Sequence, residues 1–518
     1  MDFDSFRTYA ASAALVPVWR DVLLDIDTPV SAFAKLRRGG FAFLLESAPA
    51  GSETWSRYTF MGTEPRSAWA LSNGVVSDWS PERGWHSERA VADPLADLER
   101  LVTEFPPASV PELGVFWGGA VGYLGYDVVR AIESLPDPPR AKLRIPDALF
   151  VFTRGIVVID NLRSQGRLIV SVPVPPNSDE GTLRTLYDEA CTELDAIETR
   201  LLDPSPLHPL PLAAPTAGAV GISNYAHDKF VADVEVIREY IRAGDCFQCL
   251  LARRIDVEQD FESADLYRAL RALNPSPYMY HLDLDGTELV GSSPELLVRL
   301  SDGQVTVRPI AGTRPRGRTP ESDERMTAEL LADEKERAEH VMLVDLGRND
   351  VGRIAEYGTV AVSDLMVVEK YSHVLHLVSQ VDGTVRKDVG VADVLRATFP
   401  AGTMTGAPKV RAMQIIDELE PERRGAYAGA VGYIAWGGKR IDLAITIRTC
   451  VIAGGVASVQ AGAGIVADSI PEMEWRETEN KARAVLTAIA QVRDANRRNA
   501  GRRIGMPTPD STASPVRA

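Results

Sequence analysis

"AGAGIVADSIPEMEWRETENKA", Ala461 to Ala482, turns from strand-like to helix-like sequence within one stretch. In "AGAGIV" the glycines at 462 and 464 let a ligand or another backbone come close, although a tight strand with bulges reads as well. Ser469 with Glu472 three residues on has the pattern of a capping box, which predicts a helix start. Trp475, Ala482, Val485, Leu486 and Ile489 share one face of that helix and predict its packing side. Glu474, Glu477 and Lys481 fall on a different face. A carboxylate pair on a helix is usually solvated surface, and by itself this one says little.

A second pair changes that reading. "MTAELLADEKERAEHVMLVDL", Met326 to Leu346, predicts one helix with Leu330, Leu331, Ala338, Val341, Met342 and Val344 or Leu346 as its apolar stripe. Glu336 and Glu339 lie three apart on it, beside His340. Two helices with paired carboxylates can hold one hard cation such as Mg2+, which takes oxygen ligands at about 2.0–2.1 Å. Two solvated helix faces remain the alternative on spacing alone.

Three other segments let a ligand approach backbone. In "RPIAGTRPRG", Arg308 to Gly317, and the next residue, Arg308, Arg314, Arg316 and Arg318 surround the small Ala311-Gly312-Thr313. The cations suggest an anion nearby. "TFPAGTMTGAPKVRAMQIIDELEP", Thr398 to Pro421, joins a glycine-rich loop to a helix from Pro408, whose first N–H groups would face an anion. Lys409 has the wrong spacing for a Walker loop. "GAVGY" occurs at Gly119–Tyr123 and at Gly429–Tyr433, and predicts two strands whose glycines admit another backbone. Neither copy opens a helix, so neither is a dinucleotide fingerprint. "DCFQC" carries Cys246 and Cys249 without a second cysteine pair or histidine cluster, which favours two buried thiols over zinc. His376 lies in the apolar "HVLHLVSQ" and reads as a core histidine.

The chain has 518 residues, 45% apolar and 25% charged, the balance of a soluble globular protein. Its net charge of −16 argues against nucleic acid or an anionic membrane as partner. An anionic substrate must therefore be drawn in by local cations. Four cysteines are no disulfide framework and suit a reducing compartment. No basic n-region or membrane-length apolar run is present, so a cytoplasmic location is expected. Short strands are predicted in residues 1–202, a Pro/Ala-rich linker at 203–222, a helix-and-strand region at 223–495, and a disordered tail at 496–518.

"DEKERAEHVMLVDLGRND", "ATFPAGTMTGAPKVRAMQIIDELEP", "AGAGIVADSIPEMEWRETENKA" and "PIAGTRPRG" together closely resemble the chorismate-utilising enzymes, over Ser223 to about Val492 and more weakly at "FLLES". The resemblance implies an α+β fold: two large antiparallel sheets packed face to face, helices outside, with both halves of the chain contributing. It implies Mg2+ held by Glu336, Glu339, Glu474 and Glu477 against the ring carboxylate of chorismate. Tyr427 and Arg448 would receive the enolpyruvyl carboxylate. Gly312, Thr313, Gly462, Ala463, Gly464, Thr403 and Lys481 would complete the pocket. Glu295 would be the acid that protonates the departing 4-hydroxyl, and His376 the histidine tied to pyruvate loss and aromatisation.

Two positions separate the family's members. Members that add water have a lysine base where this chain has Gln248, and ammonia needs little base help. Members that aminate C4 often have a lysine nucleophile where this chain has Ala311. The implied reaction is therefore chorismate plus ammonia to anthranilate and pyruvate. The ammonia would come from solution or a separate glutamine amidotransferase subunit, and an oligomer is expected. The family resemblance also implies a tryptophan feedback site at Glu46, Ser47, Pro277, Tyr278 and Met279, with Tyr433 lining it. The rivals are formation of aminodeoxychorismate or aminodeoxyisochorismate, and tryptophan sensing without catalysis.

Overall fold

The computed structural model describes residues 1–47, 57–136, 138–211, 218–370 and 374–504. Among these residues the strands form two 12-stranded antiparallel sheets. Neither sheet belongs to one end of the chain. In the first, Phe41–Glu46 pairs with Tyr278–Leu284, setting Glu46 opposite Met279. In the second, Gly119–Leu124 pairs with Ala430–Ala435, so the two "GAVGY" copies lie against each other with Gly122 opposite Gly432. The reason for glycine is steric: a Cβ on Gly122 would sit 1.9 Å from the Leu149 carbonyl oxygen, and one on Gly432 2.2 Å from that of Asp442. The expected N-terminal region and 223–495 region are thus strands of shared sheets. Between them, 203–211 and 218–221 have no regular structure, and 212–217 lie outside the described residues.

The sheets pack face to face as the resemblance implied. Phe60, Met61 and Ile156 of the first sheet share one core cluster with Val121, Val151 and Val431 of the second. Each such side chain contributes about 1.5–3 kcal/mol on burial. Helices cover the outside. The helix Pro471–Ile504 packs on the strand Val456–Ile465 and on the helix Ser263–Leu273. It buries Ala482, Val485 and Ile489 of the predicted face, with Ala488 and Val492.

Three local expectations change. Met326–Leu346 is not one helix: Pro320–Ala332 ends, and Glu334–Gly352 begins, at Asp333. The Asp333 carboxylate accepts from the Lys335 and Glu336 N–H groups, each at 3.1 Å, and this cap restarts the helix in a new direction. Ser469 is not an N-cap. The Ile470 carbonyl accepts from the Glu474 N–H, and Pro471 occupies the first helical position, where its missing donor costs nothing. The last helix runs past Asn496 to Ile504, and 505–518 lie outside the described residues. No described helix is long and apolar enough to cross a membrane.

Candidate active site

Gln248 begins the strand Gln248–Glu258, which lies between Gly406–Ala407 and Val456–Ile465. Its Nε2 donates to Glu339 Oε1 at 3.0 Å. Gly464 leaves room for that amide, because a Cβ there would stand 2.5 Å from Gln248 Nε2. Gly462 turns both backbone groups to the site: its N–H meets the buried Tyr427 hydroxyl, and its carbonyl accepts from Lys481 Nζ at 3.0 Å. Ala463 faces the other way, into the cluster of Cys249 and Ile465, so only its backbone is on the site side. Cys246 and Cys249 are buried free thiols.

Glu295 is only 8% exposed and accepts from Thr403 Oγ1 at 2.9 Å. Burial pushes its carboxyl up to about 7, against the opposing pull of Thr403, Lys481 and Arg448. Arg448 itself holds a left-handed backbone with φ 50°, a strain that a fixed functional position can carry.

The strand Ile310–Pro315 shifts register between Ala311 and Thr313 against Val374–Thr384. Gly312 takes the bulge at φ 62°, where a side chain would be strained and its Cβ would meet Leu330 Cδ1 at 2.8 Å. The bulge turns the Gly312 carbonyl to His376 Nδ1 at 3.0 Å. A carbonyl only accepts, so Nδ1 carries the proton and Nε2 the lone pair. Burial pushes His376 down to about 4, so its imidazole is neutral at pH 7. The Thr313 side chain lies outside the described residues. Three loop arginines are bound to carboxylates of the protein: Arg314 to Asp333 and Glu336, Arg316 to Asp323, and Arg308 to Glu369.

The two glutamate pairs come into one electrostatic neighbourhood. Burial pushes Glu339 up, and the charges of Glu336 and Glu477 add to it. Burial, with the Glu477 charge, does the same to Glu474. Each carboxylate also has a protein partner: Arg314 for Glu336 (3.1 Å), Gln248 for Glu339, Ser469 for Glu474 and Lys481 for Glu477 (2.7 Å). In this conformation no three His, Cys, Asp or Glu among the described residues converge to hold a metal ion. The donor set, four carboxylates under mutual repulsion, fits a hard divalent cation. His340 stands apart, buried with Nε2 2.6 Å from Ser379 Oγ.

The chorismate binding enzyme family matches residues 43–487. This chain belongs to the chorismate-binding enzymes. It is 45% identical over 498 residues to anthranilate synthase component 1 of Acinetobacter calcoaceticus, covering 94% of this chain and 97% of that one. Identity to the component 1 of Acetivibrio thermocellus is 43% over 493 residues, covering 94% and 98%. The crystal structure of anthranilate synthase component I from Streptococcus pneumoniae matches with TM-score 0.73 and 36% identity, covering 90% and 99%. The menaquinone-specific isochorismate synthase of Escherichia coli shares the fold, with TM-score 0.65 at 20% identity and coverage of 94% and 98%.

This chorismate-binding enzyme has a second cavity, of about 380 Å3, that brings Glu46, Ser47, Pro277, Tyr278, Met279 and Tyr433 together. Glu46 is at its edge but already engaged: its carboxylate accepts from Tyr267 at 2.8 Å and from Arg271 at 2.6 and 2.8 Å. Sequence reasoning missed the cavity's polar end, where Asp442 accepts from Tyr278 (3.1 Å) and Arg299 (3.0 Å). The available signal was a charge inside each apolar strand, "LLVRLS" and "RIDLAI". Also missed was Arg424, buried against Glu420 and donating to the Met404 and Leu250 carbonyls.

Proposed function

We propose that this chain is the aminating component of an anthranilate synthase, forming anthranilate and pyruvate from chorismate and ammonia. The observation that carries this is the amide of Gln248 on Glu339. A neutral amide cannot deprotonate water, whereas ammonia is already a nucleophile. Ala311, lacking a nucleophilic side chain, leaves C2 open to direct attack.

Glu295, held near neutrality by burial, gives its proton to the 4-hydroxyl, which leaves as water while ammonia adds at C2. His376 Nε2 then takes the C2 proton as the ring–oxygen bond to the enolpyruvyl group breaks. The ring becomes aromatic, and the released enolpyruvate gains a proton to give pyruvate. Arg448 and Tyr427 hold the enolpyruvyl carboxylate, and Lys481 with the Gly462–Gly464 backbone fixes the ring. Glu336, Glu339, Glu474 and Glu477 would hold Mg2+, which supplies charge neutralisation for a dianionic substrate. The component 1 name of the relatives supports a separate component 2 as the ammonia source. The 380 Å3 cavity, with its aromatic wall and polar end, supports tryptophan as inhibitor.

Incubating the pure chain with chorismate, an ammonium salt and Mg2+ tests the reading. A fluorescent aromatic amine with equimolar pyruvate is expected. Salicylate or a non-aromatic amino product would place the chain elsewhere in the family. Tryptophan binding without turnover would make it a sensor.

A further inference from the structure

Two motif residues without a role in this reaction, Asp350 and Lys409, meet behind Glu295. Asp350 lies near the end of the helix Glu334–Gly352, and Lys409 opens the helix Lys409–Leu419. Lys409 Nζ donates to both Asp350 oxygens, at 2.9 and 3.1 Å. Asp350 is 6% exposed, whereas the Lys409 side chain is 17% exposed and reaches toward solvent. Between this pair and the site lies a cavity of about 40 Å3, lined by Glu295, Thr403, Asp350 and Arg308 among apolar side chains. A water needs about 10–15 Å3 and two to four polar partners. The two carboxyls and the Thr403 hydroxyl supply them.

Once Glu295 has given up its proton it is a carboxylate in a place that disfavours charge, covered on the other side by product. A proton must return before the next turnover. We propose that the cavity is a water-filled proton inlet through which Lys409 and Asp350 re-protonate Glu295, given the reading of Glu295 as acid on which this assignment rests. The Lys409 ammonium passes a proton to Asp350, Asp350 passes one to the cavity water, and that water passes one to Glu295. Solvent restores Lys409, so the relay consumes nothing. Asp350 acts through Glu295 and touches no reacting atom. The charges acting on the two ends are Lys481 and Arg448 on Glu295, and Lys409 and Arg353 on Asp350, with Arg308 on the cavity wall.

The test is steady-state kinetics of Asp350→Asn in H2O and D2O across pH, with Glu295→Gln measured in parallel. Expected are an unchanged KM for chorismate, kcat lower by about tenfold or more, and a larger solvent isotope effect. The loss should deepen at alkaline pH, and formate or Asp350→Glu should restore part of the rate. An unchanged kcat and isotope effect in a variant that melts like the parent overturns the relay. So does an equal loss at every pH with no isotope effect and no rescue, which marks a structural role. If Asp350→Asn does not fold, the same measurements on Lys409→Gln decide. An active Glu295→Gln overturns the acid assignment and the relay together; an inactive one beside a normal Asp350→Asn overturns the relay alone.

Discussion

Glu295 and His376 are both buried, and burial favours the neutral form of each. The acid keeps its proton up to about pH 7, and the imidazole stays unprotonated down to about pH 4. In the proposed roles Glu295 works protonated, so activity would be lost as pH rises through its pKa, and His376 works neutral, so activity would be lost as pH falls through its own. At constant free ammonia, kcat/KM for chorismate should be flat between about pH 5 and 6.5 and fall with unit slope above about 7. An upper limb that persists unchanged in Glu295→Gln would belong to another group. At Ala311 the prediction concerns product. Ala311→Lys should divert amine toward C4 or abolish turnover, read by chromatography of the products, and undiminished anthranilate would remove the argument from this position.

At the scale of elements, one buried pair ties together segments that carry the site. Arg424 binds Glu420, the Met404 carbonyl beside Thr403, and the Leu250 carbonyl on the strand that begins at Gln248. Arg424→Met leaves Glu420 buried without its cation and should cost about 3–5 kcal/mol in denaturant unfolding; a change under about 1 kcal/mol would show the pair to be dispensable. The glutamate pairs were legible because helical spacing depends only on local sequence. The Asp333 break was harder, since Leu331 before it and Ala338 after it keep helical phase across the charged residues 333–337. Pro471 displaced the Ser469 capping box because a proline suits the first helical position better than the second or third. Strand pairing was illegible for a deeper reason. Alternation assigns faces but not neighbours, so "GAVGY" could be read as close-packed strand without revealing that its two copies lie side by side.

Across the whole molecule, the two cavities share a wall. Leu296 and Arg308 line both the 380 Å3 cavity and the small one behind Glu295. Ile310, also in the large cavity, is two residues from the Gly312 bulge that holds His376. A ligand in the large cavity that shifts these strands would disturb Glu295 and His376 together, the route by which the proposed inhibitor tryptophan would act. Leu296→Ala should weaken inhibition by tryptophan within the usual coupling range of about 5–150-fold, while tryptophan binding measured by calorimetry stays close to the parent's. Equal losses of binding and inhibition would mean that Leu296 serves only the cavity. Turnover of chorismate with 15N-ammonium, followed by NMR of the products, shows whether ammonia attacks C2. Expected is 15N on the ring carbon next to the carboxylate, with one pyruvate released per label incorporated. Label at C4, or a labelled product that keeps its enolpyruvyl group, would contradict it.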